Sequence, residues 1–96
     1  MSLDKKCYEY VGVIHVHSKY SDGSGSIKKI VKEAERAKLD YVILGDHNNI
    51  KAKKEEGWHK EMLLLVGEEI GDKGKSHYIA FDIEKSIQPE DYNHNI

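Results

Sequence analysis

Apolar residues occur along this chain in short bursts divided by charged or glycine-bearing stretches, and each burst has its own spacing. From Tyr8 to His17, aromatic and β-branched residues dominate, which predicts a first strand. Residues 18–26, S-K-Y-S-D-G-S-G-S, are polar and glycine-bearing, and read as a loop. Ile27, Ile30, Val31, Ala34 and Ala37 then recur at helical spacing. Lys28, Lys29, Lys32, Glu33, Glu35 and Arg36 fill the opposite side, so the segment is an amphipathic helix that Ser24 or Ser26 can cap.

Tyr41 to Leu44 is apolar without alternation, the mark of a strand covered on both faces. Residues 48–60 carry mixed charge and read as one short helix interrupted by Gly57. Met62 to Val66 is a third strand, Gly71 to Ser76 a turn, and His77 to Ile83 a fourth strand. Residues 84–96 form a polar tail. The alternation up to the third strand implies parallel pairing through right-handed crossovers. The last connection is too short for a crossover helix, so strands three and four should form an antiparallel hairpin. The expected class is α/β, about four strands with one or two helices, in a single domain spanning residues 1–96.

The bulk properties narrow the function. A chain of 96 residues suffices for one small domain, and 39% hydrophobic with 33% charged residues is ordinary for a globular protein. With a net charge of -2 and no basic stripe, nucleic acid is not expected as a partner except as a substrate. One cysteine, Cys7, leaves no intrachain disulfide and reads as an inert thiol. No apolar run reaches the ~20 residues that cross a bilayer. The expected compartment is the cytoplasm, with no membrane partner.

Candidate chemistry gathers where strands end. His15 and His17 lie two apart, so strand alternation would lean both imidazoles to one side. Alone, such a pair is more often a solvated polar face; at the carboxyl end of a parallel strand, where ligand sites collect, it is a natural pair of metal ligands. Asp22 follows in the loop, as a ligand or as a turn-forming Asp-Gly. The second strand delivers Asp46 and His47 at the same end. His47 is the expected ligand, with Asp46 orienting it through the second ring nitrogen. The third strand ends in Glu68 and Glu69. Alternation turns only one of them inward; Glu69 is the expected one, beside His77 on the hairpin return. Nitrogen and oxygen donors without thiolate suit zinc, manganese or iron.

The runs V-I-H-V-H-S-K-Y-S-D-G-S-G-S, L-D-Y-V-I-L-G-D-H-N, L-V-G-E-E-I and S-H-Y-I-A-F resemble, in that order, the PHP family, named for polymerase and histidinol phosphatase. The resemblance covers about Val11 to Ile83. It implies a distorted seven-stranded β/α barrel with up to three divalent metals at the carboxyl ends of its strands. By that likeness His15 and His17 bind one metal, Glu69 bridges it to a second held partly by His77, and Asp22 and His47 serve a third. Family members hydrolyse phosphomonoesters, and some are exonucleases or proofreading polymerase domains. The family goes on to supply a further histidine and an Asp-x-His pair, which nothing after Ile83 matches; His94 is a lone histidine in the tail. Gly45 stands where the family usually has Thr or Ser. A β/α barrel needs on the order of 250 residues, so this chain is expected to supply its N-terminal half.

The function that follows is metal-dependent hydrolysis of phosphate esters through a metal-activated water, with the site incomplete in this chain. The alternative is a non-catalytic metal-binding or interaction module that retains half of a PHP site. Ser18, Lys19 and Lys73 lie near the expected rim, where they either meet phosphate or are plain loop surface. Tyr8, Tyr10, Tyr41, Trp58, Tyr78 and Phe81 read as core or interface, and His59 as exposed. An open half-barrel edge predicts a homo-oligomer in which the fourth strand or the tail packs on a second copy.

Overall fold

The computed structural model describes residues 7–71 and 77–88; Lys73, Ser76, His94 and residues 89–96 of the tail lie outside the described residues. Strand β1 (Gly12–Val16) is followed by helix α1 (Ile27–Arg36), β2 (Tyr41–His47), a 3₁₀ turn (Lys51–Glu55), β3 (Gly57–His59), β4 (Met62–Ile70) and β5 (Tyr78–Ala80). The sheet runs β1-β2-β4-β3, with β5 also on β4. The β1–β2 and β2–β4 pairings are parallel, as the alternation of elements predicts. The return from β4 to β5 is an antiparallel hairpin, also as expected. Among the described residues the result is a mixed α/β arrangement with an open five-stranded sheet and one α-helix. No helix among the described residues is long and apolar enough to cross a membrane.

The charged segment 48–60 differs from its reading as a helix. Only a single 3₁₀ turn forms, and Gly57 to His59 pairs antiparallel with Leu64 to Met62 through a tight turn at Lys60, whose φ is 57°. Gly57 itself has φ 131°, outside the helical region, and a glycine costs a helix interior about 1 kcal/mol relative to alanine. Pairing with β4 gives the backbone of this stretch the partners that a broken helix could not.

Helix α1 lies on one face of the sheet. Its Ile27, Val31 and Ala34 pack with Val42, Leu44, Met62, Leu64 and Val66, and Ala52 of the 3₁₀ turn joins them. The fully buried Leu44 and Leu64 each stabilise the fold by about 2 kcal/mol. Among the described residues the opposite face has no such cover. Tyr41 and Ile43 of β2 are only half-buried and Leu65 of β4 is exposed, so β2 is covered on one face rather than on both. Tyr10, Ile14, Trp58 and Leu63 join them around an open hollow of about 560 Å³. None of the aromatic residues read as core or interface is buried in the core; Trp58, for example, is 70% exposed.

The helix is bounded by identifiable chemistry. The Ser26 hydroxyl accepts from the Lys29 amide at 3.2 Å and caps the first turn. At the other end Leu39 N–H donates to Ala34 and Lys38 N–H to Glu35, a Schellman closure with Lys38 in the left-handed region at φ 59°. A side chain in that conformation costs about 1–2 kcal/mol, part of which glycine returns as unfolded-state entropy. Lys38→Gly is therefore expected to stabilise the protein by about 1 kcal/mol, raising the thermal midpoint by roughly 4–8 °C. Thermal unfolding followed by circular dichroism checks this; an unchanged or lower midpoint contradicts it.

Candidate metal centre

The first two histidines reach the open face by a route that simple alternation does not describe. Between β1 and β2 the register runs Val13 to Val42 and Ile14 to Ile43, but then Val16 to Leu44. His15 is the extra residue, a bulge with φ 67°. In an unbroken register His15 would stand beside Leu44 and point at the helix. The bulge lets Val16 take that core position instead, and returns both His15 and His17 to the open face. Gly45 gives the bulged ring room, since a Cβ there would lie 3.2 Å from Cδ2 of His15.

On that face the imidazoles meet one carboxylate. His15 Nε2 and His17 Nε2 lie 2.5 and 2.9 Å from Oε1 of Glu69. On the other oxygen, His77 Nδ1 lies 2.8 Å and His47 Nδ1 3.8 Å from Oε2. Asp22 stands outside this ring, its Oδ1 2.6 Å from His17 Nδ1 and its Oδ2 3.1 Å from His47 Nε2. All six residues singled out from the sequence converge at the carboxyl ends of the parallel strands. They form three overlapping groups: His15, His17 and Glu69; His17, Asp22 and His47; and His47, Glu69 and His77. Within each group the candidate donor atoms lie within 4.8 Å of one another. Donors sharing one ion at bonds of about 2.1 Å lie roughly 3–4 Å apart, so small side-chain shifts suffice to place each group for a metal.

The two glutamates at the end of β4 part as alternation requires. Glu69 faces the imidazoles. Glu68, fully buried, faces away and accepts from the Ser86 hydroxyl and from the Ile87 amide at 2.8 Å. Asp46 supports the site differently from the expected bond to His47. It accepts from the Ser18 amide at 2.6 Å, the Ser18 hydroxyl at 2.7 Å and the Ser21 hydroxyl at 2.8 Å, and so secures the loop that carries Asp22. Ser18 is fully buried on Asp46 and does not stand at the rim, whereas Lys19 is exposed.

Sequence reasoning gave no role to Asn48 or Gly23. Asn48, in the left-handed region that asparagine tolerates, accepts from the Gly71 amide at 3.1 Å and donates to the Gly71 carbonyl at 2.8 Å. This clasp prolongs the β2–β4 pairing past His47 and Glu69. Gly23 packs against the His17–Ser18 peptide so closely that a Cβ would sit 2.1 Å from the His17 carbonyl oxygen. Only the D-H-N and D-G strings hinted at either.

Burial pushes the Glu69 carboxyl up, but the imidazole N–H groups of His15, His77 and His17 outweigh it and hold it down at about 2, from an ordinary 4.5. Asp22 is also lowered: desolvation opposes the shift, and the hydrogen bond from His17 with the charges of His17 and His47 overcomes it. A family model described as PHP domain matches residues 14–92. No curated protein matches the chain.

Because the folded value of Glu69 is depressed, its contribution to stability is complete above about pH 4.5 and is lost as pH falls toward 2. In chelator-treated protein, wild type should therefore exceed Glu69→Gln in stability near pH 5–6, with the gap closing on acidification. Urea denaturation of both proteins across this range measures it; a gap that widens toward pH 2 contradicts the assignment.

Proposed function

The chain belongs to the PHP domain family, and from that premise we propose that it hydrolyses phosphate esters using divalent ions held by His15, His17, His47, Glu69 and His77, with Asp22 serving the same cluster. One observation carries this reading: each oxygen of a nearly buried carboxylate is met by imidazoles from other segments, at one end of a parallel sheet. The donor set is nitrogen and oxygen without thiolate, which fits zinc, manganese or iron. When bound, such ions acidify water toward neutrality and polarise phosphoryl oxygens.

The chain's own groups set the conditions for that chemistry. Glu69, with two outward oxygens, serves both sides of the cluster. The ring nitrogens that face Glu69 must be free of protons to take an ion, so ion uptake competes with their hydrogen bonds to that carboxylate and is favoured as pH rises. Ile14, Ile43 and Leu65 line the apolar side of the same face, and Lys19 is an exposed cation on the loop that carries Asp22. Neither Ser18, committed to Asp46, nor Cys7, exposed on the segment before β1, is required as a nucleophile.

The open sheet fits the N-terminal portion of the barrel that the family likeness implies, with residues 1–96 as one domain. The uncovered apolar face also favours a second reading, a metal-binding module whose task is to dock. A phosphatase assay on the 96-residue chain separates the two. We expect hydrolysis of a generic phosphomonoester with added manganese, abolished by chelation, and reduced at least 100-fold in His17→Ala together with loss of bound metal. Metal binding without manganese-dependent turnover selects the docking module instead. Activity that persists unchanged in His17→Ala belongs to another site.

A second copy is the proposed cover for the open face, since contiguous exposed apolar surface of this kind marks an interaction site. Sedimentation at low micromolar concentration is expected to show a dimer or larger species, and Leu65→Glu to shift it toward monomer. A single monomeric wild-type species refutes self-association.

A further inference from the structure

Strand β5 is three residues long and, among the described residues, pairs only with the end of β4. Little apolar packing holds it there. Tyr78 and the following Phe81 are exposed, Ile79 and Ala80 are half-buried, and the core around α1 takes in none of the four. A pairing this short and this open is of the kind that frays first in a folded protein. Yet β5 carries His77 at its start, and that imidazole has to meet Glu69 at 2.8 Å. Glu69 does not secure it alone, because His15 and His17 still match the carboxylate when His77 swings away.

We propose that Glu68 is the positioning residue for His77, which it holds through the segment that follows β5. Glu68 is fully buried. Among the described residues both donors to its carboxylate, the Ser86 hydroxyl and the Ile87 amide at 2.8 Å, come from that segment. A turn at Asp82, in the left-handed region at φ 56°, lies between β5 and Ser86. The Gln88 side-chain amide donates to the Ser86 oxygen at 2.7 Å. The flanks of β5 therefore grip adjacent residues of β4 from opposite faces. His77 takes Glu69 on the open face, and Ser86 with Ile87 takes Glu68 on the helix side. Gly67 lets the strand lie close within this grip: a Cβ there would sit 2.5 Å from the Ala80 carbonyl oxygen and 3.0 Å from the Phe81 ring.

The two carboxylates differ in what they lose when β5 moves. Glu69 keeps His15 and His17, whereas Glu68 is left with no donor among the described residues. An acceptor stranded in the interior is costly, so the displacement that Glu69 tolerates is resisted at Glu68. The consequence for metal rests on the metal-centre reading above: an ion that takes Glu69 and His77 binds more tightly while Glu68 is anchored. Coupling of this kind is reciprocal, so uptake of the ion also tightens the anchor.

The full chain is tested with zinc, which is diamagnetic. Ser86→Ala removes one donor to Glu68 on the side away from the imidazoles. It should weaken zinc binding about 10-fold, and Ser86→Thr, which keeps the hydroxyl, should restore it. In metal-free Ser86→Ala, imidazole nitrogen NMR should show the His77 signals shifted and those of His15 and His17 in place. In the wild type, zinc should slow hydrogen exchange of the Ile87 amide. Unmoved His77 signals with unchanged affinity overturn the proposal and leave the metal-centre reading intact. Signals of His15, His17 and His77 that shift alike also overturn it, since Glu68 is then a general support of the fold. If Ser86→Ala does not fold, exchange at Ile87 in the wild type decides, and zinc that leaves it unchanged overturns the proposal. A wild type that binds no zinc overturns the metal-centre reading instead, and the His77 signals still decide this one.

Discussion

A carboxylate nearly withdrawn from water has to be matched by donors, and Glu69 has only imidazoles to match it. Among the described residues no lysine or arginine reaches it; His15, His17, His47 and His77 do. Those four come from the bulge of β1, the residue after β1, the end of β2 and the approach to β5. An unpaired buried charge costs several kcal/mol, so the ends of these segments are tied to one point. The bulge, the left-handed Asn48 and the room left by Gly45 are local distortions that this convergence explains.

The sheet separates two sets of acidic residues by its pleat. Asp46 and Glu68 are register partners on β2 and β4, as are His47 and Glu69 one residue on. The first pair faces the helix side, is buried, and is satisfied by Ser18, Ser21, Ser86 and the Ile87 amide. The second pair faces the open side and belongs to the cluster. Each strand end thus does two things at once. One residue anchors the neighbouring chain segment, and the next presents a donor atom, so the loop bearing Asp22 is held by the same strand that supplies His47.

The open face joins this cluster to an apolar floor. In α/β proteins a parallel sheet is ordinarily covered on both sides, and here α1 covers one. The apolar residues on the other side lie under the strand ends that carry the imidazoles, so whatever covers the floor also closes the site from below. The imidazole cluster and the apolar floor are for that reason parts of one surface.

Much of this was legible in the order of residues. The amphipathic period of α1, the parallel alternation and the short β4–β5 connection follow from spacing alone. So does the choice of Glu69 over Glu68, because a pleated strand can turn only one of two neighbours inward. That His15, His17, Asp22, His47, Glu69 and His77 would gather at one end of the sheet was also readable, since His or acidic residues at successive strand ends have few other reasons to be there. The sequence did not reveal that His15 arrives through a bulge, because alternation is a rule about unbroken registers and the break depends on β2 lying alongside. Nor did it reveal β3, where a charged segment with weak local preference takes the hydrogen bonds that β4 offers. The true partners of Asp46 were hidden for the same reason: a buried carboxylate goes to whatever donors the packed loop brings, and only the tertiary structure decides that these are Ser18 and Ser21 rather than His47.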